Sequence, residues 1–175
     1  MPPASSHGAH LVARVLREAV NYPAHAPRTA TAAYRRAHHQ LVVARDLPCL
    51  VCGVRQSTLH DPAANPHGAT AMETRHHVVE WALTNAIDLA KFNARIVAAH
   101  RARRPDDPKY ARDFTQAEME AWIDHDPDNL WVLCDRCHRS PQRGIHALTY
   151  PIWTAQDLVR DGYELTSRSV DSTAN

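Results

Sequence analysis

Four cysteines occur in the 175-residue chain, as the pairs Cys49-Leu50-Val51-Cys52 and Cys134-Asp135-Arg136-Cys137. A C-x-x-C pair presents two sulfurs as a metal-binding knuckle, and two pairs supply the four thiolates of a tetrahedral zinc site. Disulfides do not persist in a reducing compartment, so Cys49, Cys52, Cys134 and Cys137 read as ligands of one shared structural Zn²⁺. The competing readings are four buried free thiols and a redox motif. Between Cys52 and Cys134 lie 81 residues, so a shared ion would pin the chain near residue 50 to the chain near residue 135 and organise everything between.

Composition narrows the setting. Hydrophobic residues make up 44% and charged residues 22%, ordinary values for a globular domain with a sizeable core. No apolar run approaches the 18 residues of a membrane span. Residues 1–10 lack the basic start and apolar core of a signal peptide, so a cytoplasmic location is expected. The net charge is +1, but residues 1–104 carry 13 Lys and Arg against 6 Asp and Glu, whereas residues 105–175 carry 7 against 13. A basic half suits a phosphate backbone and equally suits helices with solvated arginine faces.

The pattern predicts mostly helix with a little strand. Residues 9–20 and 29–45 read as amphipathic helices, and 60–70 as a turn-rich loop. Residues 72–80 (METRHHVVE) read as a strand, where alternation sends His76 and His77 to opposite faces. From Trp81 to about Arg104 the periodicity is helical. Thr115-x-x-Glu118 is a capping box, with Phe114 and Met119 as its hydrophobic staple, and Thr154-x-x-Asp157 is a weaker copy before a last helix ending near Gly162. Leu130–Leu133 is a short apolar strand leading into the second knuckle, which should open a helix bearing His138.

His76-His77, followed by Asn129-Leu130-x-x-Leu133-Cys134-x-x-Cys137-His138, resembles the HNH endonuclease family, in its branch with two zinc knuckles. The likeness covers the Cys49–Cys52 knuckle and residues 73–80 and 126–146, and does not extend to 1–45 or 82–113. It implies an α+β, mostly helical fold with a ββα-metal (His-Me finger) core, a structural four-cysteine zinc site and a helical insertion between the two core strands. It also implies that His77 is the general base, that His76 and His138 bind a catalytic divalent ion (Mg²⁺ or another), and that Asn129 braces the loop between the strands.

Two departures from the family stand out. Nuclease colicins carry a further metal-binding histidine four residues after the one on the helix; here that position is Gln142, beside Pro141, and His146 takes its place if the chain folds back. The separation of His77 from Asn129, 52 residues, also exceeds that of a typical hairpin, so residues 81–125 should form the insertion. Glu80 reads as a partner for one imidazole, as a help in binding the metal or as a solvent-facing strand end, and His60 and His67 as spare ligands near the first knuckle. Arg136, Arg139 and Arg143 are the candidate DNA phosphate contacts. The expected organisation is a flexible 1–10, one domain over 11–166 and a flexible 167–175. Within the domain come N-terminal helices (11–46), the first knuckle and histidine strand (47–80), the insertion (81–125), the second strand, knuckle and metal-binding helix (126–150) and a C-terminal helix (151–166). The expected function is metal-dependent DNA hydrolysis inside a bacterial or phage-infected cell, with a protein partner left open. The alternative is a catalytically inactive, zinc-stabilised module that binds nucleic acid or protein.

Overall fold

The computed structural model describes residues 23–25, 29–150 and 152–158. The helix expected over 9–20, both flexible ends and most of the expected C-terminal helix lie outside the described residues. The fold is mixed α+β, with helices around one small two-stranded sheet. Strands β1 (Met72–His76) and β2 (Leu130–Cys134) pair antiparallel, with Glu73 opposite Leu133, Arg75 opposite Trp131 and His76 opposite Leu130. β1 is shorter than expected, and His77 lies just beyond its end.

Burial along β1 alternates. Met72, Thr74 and His76 are buried, while Glu73 and Arg75 are half-buried on the other face. The inner face packs on helix α1 (Ala32–His38), which runs on through a π-helical segment (His39–Ala44). Thr31 caps α1 by accepting from the Tyr34 amide. Leu41 and Val42 join Met72, Val132, Leu133, Trp153 and three of the four cysteines in one apolar core.

The insertion builds a second core. The helix expected from Trp81 begins later: Trp81–Ala86 forms only a 3-10 segment, and the chain is extended at Ile87 and Asp88. The Asp88 side chain accepts from the Lys91 amide and so starts α2 (Leu89–Phe92). A π-helical segment (Asn93–Val97) and α3 (Ala98–Arg103) continue it. Helix α4 (Gln116–His125) starts where the capping box places it, with Thr115 and Glu118 exchanging hydrogen bonds. Phe92, Val97, Tyr110, Phe114, Met119, Trp122 and Ile123 pack together between these helices. Buried Asn93 fastens the two arms, donating to the Phe114 carbonyl at 2.9 Å and accepting from its amide at 2.8 Å.

After β2 comes α5 (Asp135–Arg139), whose N-cap is Cys134. The chain leaves it at Ser140, ahead of Pro141, because proline disfavours helix in the residue before it. The second expected capping box does not form: Trp153–Ala155 is a single 3-10 turn with Ile152 at its N-cap.

Replacing Thr115 by Ala removes the side-chain acceptor at the start of α4 and should cost about 1 kcal/mol in urea unfolding. An unchanged midpoint would mean that the cap contributes nothing.

Candidate functional site

The two knuckles come together. The donor atoms of Cys49, Cys52, Cys134 and Cys137 all lie within 4.8 Å of one another. Each knuckle is built by backbone hydrogen bonds. The Cys49 amide donates to the Val54 carbonyl at 2.7 Å, and Gly53, at φ +75°, returns its amide to the Cys49 carbonyl at 3.0 Å. A left-handed φ is open to glycine and strained for most other residues. The Leu50 amide donates to the Val132 carbonyl at 3.0 Å, so the first knuckle is stitched to β2. In the second, the Cys137 amide donates to the Cys134 sulfur at 3.4 Å.

The sulfurs are spaced for a metal. Zn–S bonds of about 2.3 Å in a tetrahedron put sulfurs about 3.8 Å apart, and Cys52 and Cys134 stand 3.7 Å apart. That is far beyond a disulfide bond, and all four cysteines are free. Hydrogen bonds from Cys134, Cys137 and Cys52 hold the Cys49 thiol far below its ordinary range, while bonding to Cys134, Cys49 and Cys52 pushes Cys137 far above it. Thiols crowded in this way share protons that a cation would replace. The cluster could hold a metal such as zinc.

A second group of side chains gathers on the outer face of the sheet, at the end of α5. The Glu73 carboxylate meets His138 Nδ1 at 2.6 Å and also pairs with Arg139. His146 returns to the same place, its ring centroid 5.5 Å from that of His138. The return depends on Gly144, whose amide donates to the Ser140 carbonyl at 2.8 Å. A Cβ there would sit 2.5 Å from the Ser140 carbonyl oxygen and 2.7 Å from that of His138. His146 thus folds back toward His138, while Gln142 stays exposed, bonded to Ser140.

Arg75 and Glu80 form an ion pair at 3.1 Å next to both imidazoles. Burial, and then the Arg75 charge, lower the pKa of His138 and of His146, and Glu80 opposes the shift. Arg139 also pairs with the Glu73 carboxylate that His138 meets, and a lowered pKa favours the neutral imidazole, the form that ligates. Among the described residues, however, only the four cysteines form a group of three or more potential ligands as compact as 4.8 Å.

His77 stands on the same face. It stacks on Trp131 with ring centroids 4.5 Å apart and planes within 1°, and Trp131 is the cross-strand partner of Arg75. Burial lowers the His77 pKa below its ordinary 6.5, and the Asp128 carbonyl and carboxylate recover part of the shift. Asn129, fully buried, braces the chain after His77 as expected: its Oδ1 accepts from the Val78 and Val79 amides, and its Nδ2 donates to the Val79 and Ile123 carbonyls.

Two assignments are corrected. His76 does not join His138. Alternation turns it to the inner face, 2% exposed, where its Nε2 meets the Asp124 carbonyl at 2.9 Å and its ring stacks on Tyr34. Arg143 is not free for phosphate, because it pairs with Asp157 at 2.6 Å and meets His67 Nε2 at 3.1 Å. His67 is thereby occupied away from the knuckles. Arg136 and Arg139 remain exposed on α5. Glu73 and Trp131 went unrecognised in the sequence, although the alternation that separates His76 from His77 also puts residues 73, 75 and 77 on one face.

No family model, curated protein or solved structure matches the chain.

Truncating Asn129 to Ala leaves four backbone groups without their partner, that of Ile123 buried and those of Val78 and Val79 part-buried, and the loss should be about 3 kcal/mol of unfolding free energy in urea. A loss under about 1 kcal/mol would show that the loop after His77 is held by something else.

Proposed function

We propose that the chain is an HNH-type endonuclease that hydrolyses phosphodiester bonds in DNA, with β1, β2 and α5 as a ββα-metal core and the four cysteines holding a structural zinc. The observation that carries this reading is the grouping on one sheet face of His77, stacked on Trp131, with Glu73, His138 and His146. The four-sulfur site would be saturated by its cysteines and so has no open position for substrate.

His77 serves as general base. Its ring faces the Asp128 carbonyl, which favours a proton on that nitrogen and leaves the other to take one from an attacking water. Asn129 positions it by fixing the residues that follow. Glu73, His138 and His146 would hold a divalent ion, Mg²⁺ or another, which when bound neutralises charge at the scissile phosphate. Arg136 and Arg139, exposed on α5, suit the flanking phosphates.

The reading is tested with plasmid DNA and added Mg²⁺, Mn²⁺ or Ni²⁺. His77→Ala should lower the cleavage rate by about 100-fold or more while leaving the zinc content and the unfolding curve unchanged. Full activity in that variant would contradict it. A second reading, a zinc-stabilised binding module without catalysis, draws on the fact that only the cysteines form a compact ligand group among the described residues. DNA retained in a gel shift with no nicking under any ion would favour it.

The pH profile follows from the same geometry. Because the His77 pKa is lowered, its neutral form dominates at pH 7, so the rate should plateau there and fall in acid with a midpoint below 6.5. A midpoint above 7 would exclude His77 as the base.

A further inference from the structure

The hydrolytic scheme leaves a set of aromatic rings unused. Trp131 stacks on His77 on one side, and it also stacks on Trp153, with centroids 5.7 Å apart and planes at 23°. Trp153 is fully buried and donates from its indole nitrogen to the Cys137 carbonyl at 2.8 Å. The inner rings are therefore rooted in the core beside the second knuckle. Tyr150 is the outer member, its ring 6.5 Å from Trp131 and tilted by 23°, and it is 66% exposed.

A lone exposed tyrosine would call for no explanation. This one packs on Trp131, the ring that also stacks on the imidazole assigned as the base. On the same sheet face Arg139 reaches Glu73, and its guanidinium is largely exposed. An exposed π-face together with an exposed guanidinium is the chemistry that takes a nucleobase and its phosphate. In a duplex each base face is covered by its neighbours, so a protein ring can take that place only where the base is unpaired or turned out.

We propose that Tyr150 is a stacking platform for an unpaired nucleobase, and hence that the chain takes single-stranded or locally unpaired DNA onto this ring. The inference rests on the nuclease reading for the identity of the ligand, but its test needs no cleavage.

The full chain is titrated, without added divalent ion, into a labelled short single strand and into a duplex of the same sequence. Binding is followed by anisotropy, and a 2-aminopurine in the single strand reports stacking by loss of fluorescence. The wild type should bind the single strand more tightly than the duplex and quench the 2-aminopurine. Tyr150→Ala should weaken single-strand binding by about tenfold, abolish the quenching and leave duplex binding unchanged. Tyr150→Phe should behave as the wild type. Because the wild-type quenching is measured on the unaltered chain, the test does not depend on the variants folding. Absence of quenching, equal losses on both substrates, or tighter duplex binding would each overturn the inference. If plasmid is cut normally by Tyr150→Ala, with single-strand binding unchanged, this inference fails and the nuclease reading stands. If quenching is normal and no ion supports cleavage, the reverse holds.

Discussion

The four sulfurs form a junction between two stretches of chain that are remote in sequence. Cys134 ends β2, caps α5 and belongs to the cluster, so a single residue sets where the strand stops and the helix begins. The Leu50 amide on the Val132 carbonyl adds the first knuckle to the same strand. The direction in which α5 leaves the sheet follows from this junction, and with it the position of His138 over Glu73. Three of the sulfurs are buried in the core with Leu133 and Trp153. A cluster of thiols there contributes little by packing alone, whereas four thiolates on one cation would contribute much of the folding free energy.

The insertion is a second apolar body with its own tether. Asp128, in the turn that enters β2, accepts from Arg104 at 2.9 Å, Lys109 at 3.0 Å and the Tyr110 hydroxyl at 2.6 Å. Burial alone would raise its pKa, but these three partners hold it well below the ordinary range. Trp122 donates in turn to the Tyr110 hydroxyl at 2.9 Å, which roots the tether in the insertion's core. The carbonyl of Asp128 faces His77. The residues inserted between the strands therefore reach His77 through one short turn.

Much of this was legible in the sequence, and the parts that were not have physical reasons. The paired knuckles and the capping box at Thr115 are local or strongly patterned, and the structure places them as the residues suggested, whereas the bracing by Asn129 was implied only by the resemblance. The fold-back of His146 was readable only as a condition, because it depends on a turn at Gly144 that brings a Cβ position against backbone. The start of the insertion helix is hidden because apolar spacing runs on through Trp81–Ala86, whereas the Asp88 cap decides where the helix begins. His76 enters as a ligand only by resemblance, against the alternation that sends it inward onto Tyr34. Arg143 looks free in the sequence because its partner Asp157 lies in a segment whose return no local pattern marks.

The proposed nuclease would need two separate cation sites, a saturated one among the cysteines and an open one on the outer face of the sheet. Anomalous diffraction from crystals of the zinc-loaded protein soaked in Mn²⁺, recorded at both metal edges, separates them directly. The expected result is zinc at the centre of Cys49, Cys52, Cys134 and Cys137, and manganese bound by Glu73, His138 and His146. Manganese at His76, manganese at neither place, or an empty cysteine cluster would contradict it.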